Sequence, residues 1–86
     1  MPAIARNGDP CGGTIIATAL NTFVNGLRIA RIGDAITSHG TGLHAVATLV
    51  TGSATVFAEG ISVCRVGDFA DCGHTISAGS LDSFAE

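Results

Sequence analysis

The segment DFADCGHTI, residues 68–76, sets Cys72 and His74 two positions apart in a chain with only three cysteines and three histidines. Thiolate sulfur and imidazole nitrogen are the usual ligands of a structural tetrahedral zinc ion. Residues i and i+2 of a strand face the same side, so a strand here would aim both groups at one point. The other two histidines, His39 and His44, lie five residues apart in the glycine-rich stretch SHGTGLH. Cys11 stands in a third short stretch, PCGG, and Cys64 in SVCRVGD. A Cys-x-His pair alone is more often accidental than ligating. What must be explained is how residues 39, 44, 72 and 74 would meet.

An internal repeat provides the means. GLRIARIGD (26–34) aligns with GISVCRVGD (60–68) without gaps, and AIARNGD (3–9) supplies a truncated third copy. The segments TIIATALNTFVNG (14–26), TLVTGSATVFAEG (48–60) and TISAGSLDSFAE (75–86) superimpose Thr14, Thr48 and Thr75, and also Phe23, Phe57 and Phe84. Repeats of this kind must be recognised before any fold is assigned. The third copy stops before its own Arg-x-Gly-Asp element, whereas the chain opens with such an element and no strand before it. Joining end to beginning completes the set, which predicts a closed pseudo-threefold ring with the Met1 segment against the Phe84 segment.

Val, Ile, Thr and Phe dominate the repeating segments, and Gly-Asp, Gly-Ser and Asn-Gly punctuate them. The pattern predicts an all-β fold with turns about every ten residues. Each Gly-Asp is expected to mark a turn needing a permissive backbone, with the carboxylate accepting amide hydrogen bonds. The arginines of these elements, Arg6, Arg31 and Arg65, are then structural partners of aspartates or carbonyls. Cys64 aligns with Ala30 and Ala5 and reads as a small packing residue.

The copies differ most between each Gly-Asp and the next threonine: PCGG, AITSHGTGLHAVA and FADCGH. In a threefold ring these loops share one end, around the axis. His39, His44, Cys72 and His74 are thereby gathered as the ligands of one structural Zn2+, and Cys11 falls near the same end as a neighbour or substitute ligand. The second loop, at residues 35–47, is long enough beside the first, at 10–13, to cross the axis. Ligand type alone does not separate zinc from iron.

Composition points the same way. A single domain of 86 residues is near the size at which burial alone stops sustaining a fold, and such chains often add a metal or a partner. Charged residues are 13%, lysine, tryptophan and tyrosine are absent, and mean hydropathy is +0.49. A lone globule of this size should be more polar, so part of the surface is expected to be covered. A net charge of −3 with four arginines argues against a phosphate-tracking nucleic-acid binder. The first residues hold no apolar run of signal-peptide length, so synthesis in the cytosol is expected. An odd cysteine count argues against a full disulfide framework.

On LRIARIGD, SVCRVGD and AIARNGD, and on the downstream GSATVFAEG and GSLDSFAE, the whole chain resembles the PAAR-repeat proteins. Here none of the three copies keeps the proline, and Thr18-Ala19 stands where Gly-Ser is expected. The resemblance implies a small cone, with a metal at its apex, that caps the trimeric β-helical spike of a type VI secretion system or a contractile phage tail. One cone would sit on each trimer through its base, touch the target membrane transiently, and travel out of the cell or into the target with the spike. Separate effector cargo is a further partner that the resemblance allows. The resemblance implies a zinc site at the tip, onto which His39, His44, Cys72 and His74 carry over, and no catalysis.

Two rivals follow from the residues. A freestanding zinc-binding repeat domain that recruits cargo would need no spike. A zinc hydrolase would need an open coordination position and a base beside a pocket, which four protein ligands do not leave; Ser80, His74 and Asp82 can be named as a triad on residue type alone.

Overall fold

The computed structural model describes residues 2–42 and 47–86. They form short strands only: β1 (Pro10–Cys11), β2 (Gly13–Ile16), β3 (Phe23–Val24), β4 (Leu27–Arg28), β5 (Ala35–Ile36), β6 (Ala47–Thr48), β7 (Phe57–Ala58) and β8 (Ile61–Ser62). Strand pairing among the described residues is antiparallel, in a sheet of order β1-β2-β5-β6 and two hairpins, β3-β4 and β7-β8. No helix among the described residues is long and apolar enough to cross a membrane. The all-β expectation holds.

The repeat is visible bond by bond. The amides of Gly8, Gly33 and Gly67 donate to the carbonyls of Ile15, Leu49 and Ile76, and those of Ile15, Leu49 and Ile76 donate back to Asp9, Asp34 and Asp68. At the axis the three units interlock head to tail: Ala5 N–H donates to the Cys64 carbonyl, Cys64 to Ala30, and Ala30 to Ala5, at 2.9–3.0 Å. These three residues have no exposed surface, which is why each is small.

The ring closes where the copies are cut. Ala3 pairs with Phe84, Ile4 N–H donates to the Ser83 carbonyl at 2.9 Å, and Ala85 N–H donates to that of Pro2 at 3.0 Å. The molecule measures 32 × 24 × 22 Å along its principal axes.

The Gly-Asp turns behave as their chemistry requires. Gly8, Gly33 and Gly67 have φ of 88°, 94° and 97°, a region that a Cβ disfavours. One carboxylate oxygen of each following aspartate accepts the backbone N–H of Arg6, Arg31 or Arg65 at 2.7–2.8 Å. Arg6 and Arg65 also clasp Asp9 and Asp68 through Nε at 3.0 Å.

Two apolar clusters fill the ring. The one nearer the variable loops is built on Ile15, Leu49 and Ile76, with Cys11, Ala70 and the axial residues around them. The other contains Ile4, Ile29 and Val63, with Ala58 and Ala85, toward the hairpins. Both are layers of equivalent positions, so each unit contributes one side chain per layer.

The first unit departs from the other two. Gly52 and Gly79 approach the Val63 and Ile4 carbonyls so closely that a Cβ would stand 2.7 Å away, and Ser53 and Ser80 cap the turns that follow. Thr18-Ala19 supplies neither the glycine nor the cap. There Glu59 of the second unit reaches across to accept from the amides of Leu20 and Asn21 and the hydroxyl of Thr22. Thr18 Oγ1 donates to Asp34 at 2.6 Å, and Arg31 turns toward Thr18 and Glu59 instead of clasping its own aspartate through Nε.

Candidate metal centre

His39, Cys72 and His74 meet at one end of the ring, and one potential ligand atom from each lies within 4.8 Å of the others. His39 belongs to the second unit and the other two to the third, so the convergence is a product of the ring. The His39 and His74 rings stand edge to face, with centroids 4.9 Å apart and planes at 65°.

Each side chain is held from beneath. His39 follows β5, and its Nδ1 lies 2.8 Å from the carbonyl oxygen of Thr37. A carbonyl only accepts, so Nδ1 carries the proton and Nε2 presents its lone pair. Metal-ligating histidines are characteristically oriented in this way. Cys72 and His74 do not sit on a strand, as the sequence pattern suggested, but on a tight turn. The amide of Gly73 donates to the Ala70 carbonyl and that of Ala70 to the His74 carbonyl, each at 3.0 Å, and Gly73 has φ of 93°. The turn, not a pleat, brings both side chains together.

One edge of the cluster matches that of a tetrahedral ion. Zinc–nitrogen bonds of about 2.0–2.1 Å and a zinc–sulfur bond of about 2.3 Å at the tetrahedral angle set an N-to-S edge of about 3.5 Å. Cys72 Sγ stands 3.5 Å from His39 Nε2. The donor set, two imidazoles and a thiol, also matches zinc or another borderline-soft cation.

His44, the fourth ligand expected from sequence, lies outside the described residues. Cys11 is at the same end but is not one of the clustered ligands; it is buried, and its Sγ donates to the His74 carbonyl oxygen at 3.5 Å. Burial, reinforced by the neighbouring Cys72, raises its thiol above the ordinary value despite an opposing bond from the Ala70 amide. Cys64 is remote from the cluster, on the axis, and burial with the nearby Asp68 and Asp34 pushes its thiol up to about 12. It is the inert packing residue that its alignment with alanine indicated.

Sequence reasoning missed Gly12 and Gly13 of the first unit. A Cβ on Gly12, whose φ is 82°, would stand 2.5 Å from His74 Cδ2 and 2.9 Å from His39 Nε2. One on Gly13 would meet the Thr37 carbonyl oxygen at 2.5 Å. The paired glycines were the only available signal, and they do not say what presses against them.

Three interlocked units with a histidine–cysteine cluster at one end raise the question of kinship. The sequence model of the PAAR motif matches residues 7–78. The chain belongs to the PAAR-motif family. The match spans most of the ring and includes His39, Cys72 and His74, as expected from the Arg-x-Gly-Asp elements. A comparison with curated proteins finds no match. PAAR membership associates the chain with a spike-tip role, and the cluster gives this PAAR protein a group suited to a metal.

Proposed function

We propose that this PAAR protein is the metal-stabilised tip of a trimeric β-helical spike in a contractile injection apparatus, of the type VI secretion or phage-tail kind. The observation that carries the reading is a set of three equivalent aromatics, Phe23, Phe57 and Phe84, which are 53%, 57% and 50% exposed. They belong to the hairpin side of the ring, whereas the histidine–cysteine cluster belongs to the loop side. Leu20 and Leu81, also equivalent, add to the exposed apolar surface. A threefold apolar face is what a coaxial trimer would cover; Phe23 and Phe57 lie in hairpin strands and Phe84 in the bridge to Ala3, and backbone beside them could extend the partner's pairing.

At the loop end, zinc would be held by His39, Cys72 and His74, with His44 as the fourth ligand that the sequence offers. A structural zinc ion contributes on the order of 10–16 kcal/mol in small modules, against about 1.5–3 kcal/mol for burying one large apolar side chain. A narrow end with few neighbours gains more from the ion than from packing. The role is mechanical, and we infer that it requires no catalysis. Delivery out of the cell or into a target with the spike, and transient contact with the target membrane, follow from the same reading.

Mixing the chain with a trimeric β-helical spike and weighing the complex in solution tests the proposal. One chain per trimer is expected, and Phe57→Asp should weaken the complex at least tenfold without removing metal. Failure to bind any such spike would favour a freestanding metal-binding repeat domain that recruits cargo by itself.

A further inference from the structure

Among the described residues the first unit contributes no ligand to the cluster, yet it is pressed hard against it. Cys11 is fully buried, and its thiol donates to the carbonyl oxygen of His74. That same oxygen accepts the Ala70 amide, so two bonds fix the peptide plane from which the His74 side chain departs. Ser77 N–H donates to the Pro10 carbonyl at 3.1 Å and ties the first unit to the third just beyond the ligand turn. Gly12 then lies against both imidazoles, with room for no Cβ. Gly13 lies against Thr37, whose carbonyl oxygen orients His39.

We propose that Cys11, Gly12 and Gly13 form a positioning cradle for the metal centre, with Cys11 outside the coordination sphere. The inference rests on the His39–Cys72–His74 cluster being a metal site. The Cys11 thiol sets the direction of His74 through its backbone. Gly12 sets how closely the two rings can lean toward the first unit. For Cys11 to become a ligand, its bond to His74 would have to break and the turn that carries His74 would lose an anchor. Outer-shell groups of this kind typically govern metal affinity by 10–100-fold.

The test loads the full chain with Co2+, whose thiolate charge-transfer absorption scales with the number of sulfur ligands, and measures affinity by competition with a chelator. The wild type should show one thiolate, and Cys72→Ser should abolish the band. Cys11→Ala should keep the band at full intensity while affinity falls about tenfold. Cys11→Ser, which keeps a donor, should recover part of the loss. Should Cys11→Ala not fold, Gly12→Ala provides the second arm, with affinity lowered about 10–100-fold at unchanged thiolate intensity. Halved charge-transfer intensity in Cys11→Ser would make Cys11 a ligand and overturn the proposal. Wild-type affinity in Cys11→Ala or Gly12→Ala would overturn it too, since a merely structural role lowers the melting midpoint without moving the affinity. A wild-type chain that takes up no cobalt would instead remove the metal reading itself, and the cradle with it.

Discussion

The cysteines divide the chemistry among themselves. Cys72 stands at the distance from His39 that a zinc tetrahedron requires, Cys11 is bonded to a backbone carbonyl, and Cys64 is enclosed at the axis. An alkylating reagent at pH 8 after chelation should therefore modify Cys72 readily and Cys64 hardly at all, because a thiol raised to about 12 is almost never a thiolate there. Peptide mapping of the alkylated protein reads the result directly. The same shift has a sign for stability. The unfolded chain releases this proton near the ordinary value of 9.0 and the folded chain near 12, so folding loses support as pH rises across that interval and gains none below it. His39, Cys72 and His74 were legible in the sequence because the symmetric loops contain nearly all the His and Cys. The cradle residues were not, since a glycine's role against an imidazole depends on an approach of a few ångströms between distant segments.

At the scale of the turn and hairpin, the first unit depends on a neighbour for what the other two make themselves. Ser53 and Ser80 each cap their own turns, but Ala19 cannot, and Glu59 bonds the amides of Leu20 and Asn21 in its place. Glu59 does so from a φ of 52°, a region that costs a non-glycine residue energy. Those amide and hydroxyl bonds, aided by Arg31, hold its carboxyl below the ordinary 4.5. Glu59→Gln should lower the thermal midpoint, and adding Ala19→Ser should restore part of the loss; an unchanged midpoint in the single variant would mean that the contact contributes nothing. Asp68 works in the same direction. Burial alone would raise it, but bonds from the Arg65 side chain and backbone and from the Thr51 hydroxyl outweigh this and bring it below 3.8. A carboxylate with a depressed folded pKa supports the fold above its unfolded value, and that support fades as pH falls through the folded one. Stability should thus decline on the acid side below roughly pH 4.5, less steeply in Glu59→Gln. The Asn25-Gly26 turn was readable as a dipeptide signal, whereas Glu59-Gly60 was readable only through its alignment with it. The tight form of the turn at 71–74 was not legible, since Gly73, at φ 93°, frees side-chain direction there from the two-residue period of a strand.

Over the whole molecule, three copies of one unit share layers of core and close on themselves through Ala3 and Phe84. This much was legible in advance, because gapless repeats cut at mismatched ends dictate ring closure whatever the strand details. The expectation that a partner covers the exposed phenylalanines had no more in the sequence than an excess of apolar residues. A core layer built from one residue per unit should fail as a unit, so Leu49→Ala is expected to cost about 2–5 kcal/mol in chemical denaturation and to loosen all three copies together. On the function proposed above, the ring brings its loops onto one ion. Native mass spectrometry of the purified chain, before and after chelation and with melting followed in parallel, tests that most directly. One zinc ion per chain is expected, lost in Cys72→Ser, with a large drop in melting midpoint once the ion is stripped. A metal-free chain that melts where the purified one does, or a Cys72→Ser variant that still retains its zinc, would contradict it.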